Sequence, residues 1–319
     1  MKKNLFAILA IFYGLHSFSQ TLPSAIGSSD ITEGEKLIEA YFTPMAESFG
    51  AGLNSGWYNT AKPHSLGGFD LTFTLNTVII PNTAETFKIG GAFGNIFKSE
   101  KNEASTIFGG TSTTSMYYDP STVPGSDSIH FNMPGGFKIP GMPLVMIQAG
   151  VGLIKNTAVD IRYMPMLNVG DDFNLNLFGI GIKHDLLQWI PVAGDAIPMS
   201  LSLQWGYTSL NTELKIDEHE VSLNTKANTI NLVASKRLLM VTGYAGIGYN
   251  SSTTSFSAPV DFDLGGLKFN EKVELDFESN NNLRANIGLR LNITLVTIQA
   301  DYTFSEYPTA TLGLGVSLR

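Results

Sequence analysis

Leu283-Arg284-Ala285-Asn286-Ile287-Gly288-Leu289-Arg290-Leu291-Asn292-Ile293 alternates without a fault. The odd positions are all apolar, whereas the even positions carry Arg284, Asn286, Arg290 and Asn292. Successive side chains of a strand point to opposite faces of its sheet, so this strand has one apolar face and one face bearing two arginines. Such a strand suits a wall between lipid and water, the signature of a transmembrane β-barrel. From Val296 the apolar residues move to even positions (Val296, Ile298, Ala300, Tyr302, Phe304), so the chain turns tightly between Ile293 and Val296, as periplasmic barrel turns do. A last alternation, Leu312, Leu314, Val316 and Leu318, ends on Arg319 rather than on an aromatic residue.

The same pattern recurs upstream. Phe69, Leu71, Phe73, Leu75 and Ile79 oppose Asp70, Thr72, Thr74 and Asn76, and Pro81-Asn82 supplies a turn. A second segment runs from Phe87 to Phe97. Val145 to Leu153 and Val159 to Tyr163 follow, and Phe173 to Ile182 changes parity between Leu177 and Phe178, which predicts a bulge there. Met199, Leu201, Leu203, Trp205 and Tyr207 oppose Ser200, Ser202, Gln204, Gly206 and Thr208. Val273, Leu275 and Phe277 oppose Lys272, Glu274, Asp276 and Glu278. Aromatic residues at strand ends, such as Trp205, Tyr207, Tyr244, Tyr249, Tyr302 and Tyr307, suit the membrane interface. The count gives an all-β chain: an antiparallel transmembrane barrel of about 12–14 strands over residues 66–319. Residues 99–143, rich in Ser, Thr and Gly and holding Pro120, Pro124, Pro134, Pro140 and Pro143, read as a long loop.

Ahead of the barrel, Lys2 and Lys3 precede an apolar run from Leu5 to Leu15 and the small residues Ser17 and Ser19. That is the layout of a signal peptide over residues 1–19, too short to cross a bilayer as a helix. Residues 20–65 then hold a helical segment. Asp30 with Glu33 and Thr32 with Glu35 have capping-box spacing, and Ile38, Tyr41, Phe42, Met45 and Phe49 gather on one helical face. Pro44 should break or kink this helix, and Gly50, Gly52 and Gly56 lead out of it. Because the polar face is acidic (Glu33, Glu35, Glu39, Glu47 against Lys36), a plug in the lumen or a periplasmic lid fits better than a helix lying on the membrane.

Composition supports the barrel. Only 15% of residues are charged, against about 25% in ordinary soluble domains, and the net charge of −8 leaves no basic stripe for nucleic acid. With no cysteine, a disulfide framework, a thiolate metal site and a lipid-modified amino-terminal cysteine are excluded.

The succession Gly152-Leu153, Asn156-Thr157, Arg162-Tyr163, Pro165, Gly179-Ile180-Gly181-Ile182-Lys183-His184-Asp185, Trp189-Ile190-Pro191 and Gly206-Tyr207-Thr208 resembles an outer-membrane barrel family of Bacteroidota. That family is catalogued as a domain of unknown function, so the resemblance implies a barrel and no established activity. In outline, a helix ahead of about fourteen strands also resembles fatty-acid-transporter-type barrels, with no motif to carry residues across.

Charged residues that interrupt apolar-faced strands should point inward, because a charge facing lipid costs about 2–4 kcal/mol at the midplane. Asp70, Arg162, Lys183, Arg284, Arg290 and Asp301 are the candidate lumen-lining residues. They either line a solute path or pair with one another to fill the barrel. Ile38, Tyr41, Phe42, Met45 and Phe49 are the candidate plug face; Trp189 and Ile190 are a candidate interfacial anchor. His184 between Lys183 and Asp185 resembles an acid–base cluster, but an interfacial turn explains the same residues. His64, His130 and His219 have no partner at metal-ligand spacing. Asp171-Asp172 and Asp261 with Asp263 do not match a spaced calcium loop, and no compact nucleophile and base pair is present. The expectation is therefore a barrel without enzymatic activity, cofactor or metal. It meets outer-membrane lipid and transports or captures a small, hydrophobic solute. The alternative is a non-conducting accessory subunit bound to other outer-membrane proteins.

Overall fold

In the computed structural model, which describes residues 31–89, 97–118, 130–169, 173–190, 198–216, 219–264, 267–279 and 282–318, the stretch Leu283–Ile293 is a strand paired on both sides. The signal-peptide reading, Asp30 of the expected cap, Asp171-Asp172 and Arg319 lie outside the described residues. In chain order the elements are α1 (Ile31–Leu53), β1 (Phe69–Ile79) and five short strands, β2 (Thr86–Lys88), β3 (Phe97–Lys98), β4 (Glu103–Ser105), β5 (Thr114–Tyr118) and β6 (His130–Met133). There follow β7 (Gly141–Leu153), β8 (Thr157–Val169), β9 (Phe173–Asp185), β10 (Ser200–Ile216), β11 (His219–Leu238) and β12 (Val241–Leu264). The chain closes with β13 (Leu267–Glu278), β14 (Leu283–Ile293), β15 (Val296–Phe304) and β16 (Thr309–Leu318).

β1 pairs with β16 on one side and β7 on the other, and β11 pairs with β12, so the sheet closes on itself. Among the described residues ten strands make the ring: β1, β7 to β12 and β14 to β16. The sequence pattern counted about 12–14. The difference has two sources. β13 and β14 both pair with β12, at Thr253–Leu264 and Val241–Tyr249 respectively, so they occupy one position in the wall, one above the other. The segment at Phe87 and Phe97 belongs to β2 and β3, outside the ring.

The hairpins are of unequal length at the two ends. At one, the turn end, β14 reverses into β15 through Thr294 and Leu295, as the parity change requires, and β11 into β12 through Leu239 and Met240; Thr294 and Leu239 take positive φ. At the other, the extended end, β10 to β13 run well beyond their neighbours.

Burial shows where the lipid zone stops. Phe69, Leu71, Phe73, Ile147, Val151, Ile161, Phe178, Ile182, Leu203, Ile287, Leu289, Ile298 and Leu314 face outward, while Thr72, Thr74, Asn76, Gln148, Arg162, Gln204 and Gln299 face inward. Toward the extended end the polarity inverts. Ser251, Thr253, Ser255, Glu274 and Glu278 lie on the exposed outer face, and Leu177, Leu210, Leu223, Phe256 and Phe277 turn inward. That inversion is why Leu177 and Phe178 look like a parity switch. β9 pairs with β10 without interruption; the register shift lies instead in β8, between Met164 and Leu167.

α1 causes the inversion. It is one continuous helix through Pro44 rather than a short helix with a break. Proline removes one amide donor, and Thr43 Oγ1 donates to the Glu39 carbonyl at 2.7 Å in that turn, while Ser48 Oγ donates to the Pro44 carbonyl at 2.7 Å. Gly50 and Gly52 are helical, and a Cβ on Gly52 would stand 2.2 Å from Leu144 Cδ1, so glycine there lets the helix press on the wall.

Where residues 99–143 are described, the long connection carries short strands. β2 pairs with β4, β5 pairs with β3 and β6, and Phe97, Ile107, Phe108, Met116, Phe131 and Met133 join the apolar cluster around α1. Ile107 N donates to Tyr41 O at 3.1 Å and Tyr41 Oη donates to Gly135 O at 2.9 Å, which ties this inset to the helix as a cap. Burial pushes the Tyr41 phenol well above its ordinary pKa, keeping it a donor.

Candidate functional site: the filled lumen

Every residue from Met45 to Ala61 is buried, although this stretch lies outside the sheet. The reason is its position. Inward side chains from around the ring reach it: Asn76 from β1, Gln148 from β7, Arg162 from β8, Ser202 from β10, Ser235 from β11, and Arg284 and Arg290 from β14. A segment touched from so many sides lies inside the barrel. α1 occupies the extended half, and the exit segment from Asn54 to His64 runs toward the turn end, where β1 begins. α1 is therefore a plug, and the lid alternative is excluded.

The plug face is buried as a unit: Ile38, Tyr41, Phe42, Met45 and Phe49 are each at most 5% exposed. Phe42 stacks on Phe256 of β12 with ring centroids 5.0 Å apart. The apolar upper lumen is rich in methionine, with Met45, Met116, Met133, Met142 and Met146 all buried.

Below it the contacts become polar and are aimed at backbone. Arg162 donates from Nη1 to Leu53 O and from Nη2 to Ser55 O, both at 2.8 Å, and from Nε to Gln148 Oε1 at 2.9 Å. Its guanidinium also lies 3.7 Å from the centre of the Trp57 ring. Asn76 Nδ2 donates to Gly52 O and Ser55 O at 3.1 and 3.2 Å. These groups satisfy the carbonyls that the last turn of a helix leaves without partners. Arg284 donates to Asn54 O at 2.5 Å and to Thr303 Oγ1 at 3.0 Å. Arg290 donates to Asn59 Oδ1 at 2.6 Å, and Asn59 donates in turn to Gln299. Trp57 lies against the wall where Gly181 and Gly206 leave room; a Cβ on Gly206 would sit 2.4 Å from the indole.

The six charges expected to face the lumen all face it, but they do not form one cluster. Arg162, Arg284 and Arg290 hold the plug. Asp301 accepts from Tyr244 Oη at 2.8 Å and Asn286 Nδ2 at 2.9 Å, within the wall. Tyr244 thus points inward and is no interfacial aromatic; Tyr307 is buried as well. Asp70 and Lys183 lie near the turn end with Asp160, which is 2% exposed, and His64 Nε2 is 3.2 Å from Asp70 Oδ2. His64 therefore has an acidic partner that no sequence spacing disclosed. The fourteen residues from Ser48 to Ala61, the end of α1 and the start of the exit segment, carry no charge, which is a signal of burial in the sequence.

His184 is engaged structurally: Nδ1 is 2.8 Å from Thr157 Oγ1, and Nε2 accepts from Trp189 Nε1 at 2.9 Å. Trp189 and Ile190, 62% and 45% exposed, sit with exposed Ile154, Leu239 and Met240 at the turn end. Among the described residues no group of three or more His, Cys, Asp or Glu could hold a metal ion.

The model of a family of unknown function (DUF6588) matches residues 1–318. The chain belongs to that family. A barrel with its own amino-terminal segment in the lumen is thus the architecture of a member of this family. No curated protein matches the chain. Among solved structures it is similar to the translocator domain of the autotransporter NalP from Neisseria meningitidis, at 12% identity over 92% of this chain and 100% of that one, with a TM-score of 0.28. It is also similar to the outer membrane protease OmpT from Escherichia coli, at 11% identity over 79% and 97%, with a TM-score of 0.30. A third is the Ralstonia pickettii toluene transporter TbuX, at 7% identity over 84% and 92%, with a TM-score of 0.27.

Proposed function

We propose that this barrel resides in the outer membrane, with its turn end periplasmic and its extended end outside the cell. There it captures and passes a small apolar solute and is closed at rest by its own amino-terminal segment. Short periplasmic turns and longer outer extensions are usual in such barrels, which supports the orientation. The observation that carries the reading is the division of the lumen into an apolar, methionine-rich outer half and a polar inner half, with the plug crossing both. Methionine is flexible and polarizable, so a lining rich in it can repack around apolar solutes of different shape. Passage then requires the plug to move, because residues 45–61 occupy the space a solute would use.

The experiment is a planar-bilayer and liposome-uptake comparison of the full chain with a variant lacking residues 31–61. A silent full chain and a variant that conducts ions and admits a small apolar fluorophore support gated passage. A folded deletion variant that neither conducts nor takes up the probe overturns it.

A second reading, a non-conducting accessory subunit, is favoured by one observation: polar outer faces of β12 and β13 stand beyond the lipid zone, where other outer-membrane proteins can reach them. Extraction in mild detergent that yields only a free monomer argues against it. Both readings propose a barrel without enzymatic activity.

A further inference from the structure

Apolar side chains run past the strand ends at the turn end of the barrel. Leu239 and Met240 form the tip between β11 and β12, Leu295 lies in the tip between β14 and β15, Ile154 in that between β7 and β8, and Trp189 between β9 and β10; all are exposed. At two of these tips the backbone suits another kind of residue. Leu239 and Thr294 open two-residue turns and take φ of 56° and 55°. A turn with positive φ at that position favours glycine, because a Cβ makes the conformation costly. Leu239 stands there all the same, 92% exposed.

The exposed charges divide between the two ends. Glu39, Glu220, Glu274, Asp276, Glu278 and Glu306 are exposed at the extended end. At the turn end Lys62, Lys155, Lys236 and Arg237 are exposed, and none has an ion-pair partner among the described residues. The carboxylates described there are withdrawn: Asp160 is buried, Asp70 is held by His64, and Asp185 Oδ1 accepts from Leu187 N at 2.8 Å. The four bases form two groups. Ala61 N donates to Ser235 Oγ at 3.0 Å, which brings the chain at Lys62 up to Lys236 and Arg237. Gln188 Nε2 donates to Lys155 O at 2.9 Å, which sets the Trp189 tip beside the Lys155 turn.

Lipid fits this surface better than a protein partner does, on two counts. The first is continuity. Leu238 and Val241 of the β11–β12 hairpin, and Ile293 and Val296 of the β14–β15 hairpin, carry the exposed apolar wall to the last strand pair, so no polar band separates the lipid face from the tips. The second is charge. Lysine and arginine at the rim of an apolar surface lay their stems along it and reach anionic headgroups, to which each is attracted. Lys236 is so placed: it has the outward parity of Ile230 and Leu232 and precedes the Leu239 tip by three residues.

We propose that the turn end is seated in the headgroup layer of its leaflet and binds anionic lipid. The apolar tips rest at the hydrocarbon boundary, and Lys62, Lys155, Lys236 and Arg237 donate to the headgroup phosphates. The basic end then fixes how deep the barrel sits, and the turns end within the membrane instead of reaching through it. This rests on the membrane placement proposed above and holds whether or not the lumen passes a solute.

Bromine on a lipid's acyl chain quenches a tryptophan it touches, so each tryptophan reports the lipid beside it. Trp189 is a fixed probe of the turn end, since its Nε1 donates to His184 Nε2 at 2.9 Å; Trp205 is in the wall between Ile182 and Ile230, and Trp57 is buried in the lumen. The full chain with Trp205→Phe, and separately with Trp189→Phe, is folded into phosphatidylcholine vesicles containing brominated phosphatidylglycerol or brominated phosphatidylcholine. With Trp205→Phe, the phosphatidylglycerol should quench at roughly one-fifth of the phosphatidylcholine fraction that has the same effect. Adding Lys155→Gln and Lys236→Gln, or about 1 M salt, should bring the two curves to within about twofold of each other. With Trp189→Phe, both lipids should quench Trp205 alike. Equal quenching of Trp189 by the two lipids, or a preference that survives both the glutamines and the salt, overturns the proposal. Weak quenching of Trp189 by both while Trp205 is quenched puts the tip in water or against a protein, and overturns it too. If Trp205 is not quenched either, the membrane placement itself fails.

Discussion

Arg162 of β8 lies 3.7 Å from the centre of the Trp57 ring and at the same time donates to the carbonyls of Leu53 and Ser55. One side chain therefore fixes the end of the plug helix and the first large residue of the exit segment. Its replacement by methionine keeps much of the volume but leaves Gln148 Oε1 without this donor, Ser55 O with Asn76 Nδ2 alone and Leu53 O with only the 3.5 Å contact from Thr208 Oγ1. A loss of about 3 kcal/mol is expected, read as a lower urea midpoint in lipid or detergent. Lysine keeps the charge and loses the fork, so Arg162→Lys should fall between the two.

Gly206 is the position at which the wall yields to the plug. A Cβ there would stand 2.4 Å from the indole of Trp57, and backbone on one side and a buried ring on the other leave it nowhere to go. Gly206→Ala should displace the ring at a cost of about 1–3 kcal/mol and shift the emission of Trp57. Of the three tryptophans, Trp205 and Trp189 are 38% and 62% exposed, so the change is best read in a variant that carries phenylalanine at both.

Phe42 and Phe256 anchor the helix to the longest strand of the wall. Phe42→Ala leaves a cavity in a close-packed cluster and should cost about 3–5 kcal/mol. Because the contact is to the plug and not within the ring, protease cleavage should appear in the amino-terminal segment before the barrel loses its resistance to unfolding on gels.

Leu289 is at the middle of β14 and 61% exposed on the lipid face. Leu289→Arg should destabilise the folded barrel by about 2–4 kcal/mol in a bilayer. Leu239→Arg, at the turn end on a residue 92% exposed, should cost less than about 1 kcal/mol, because charge near the interface escapes the hydrocarbon. Refolding into vesicles across a urea series measures both, and equal costs would show that the lipid zone is misplaced.

The parity of Leu283–Ile293 and Phe69–Ile79 was legible because lipid on one side and polar atoms on the other act on each residue of a strand separately. The tight turn at Thr294-Leu295 was legible for the same reason. Strand number was not. Val273 to Phe277 alternates as well as any wall strand, and only its pairing with the far half of β12 makes it a continuation of β14's position in the ring. The break expected at Pro44 failed for a related reason: a proline costs a helix one hydrogen bond, and burial of the plug face on both sides of it outweighs that loss.

By itself, the sequence determined the membrane wall, the inward direction of Arg162, Arg284 and Arg290, and the amphipathic helix, since each follows from local alternation or spacing. Tertiary structure alone decided what those arginines are for. Their partners lie more than a hundred residues away along the chain, and apart from the side chain of Asn59 they are the carbonyls of Leu53, Asn54 and Ser55, which bear no side-chain signature because any residue offers a carbonyl. Backbone acceptors are invisible in a sequence, and it is largely by backbone acceptors that this lumen is closed.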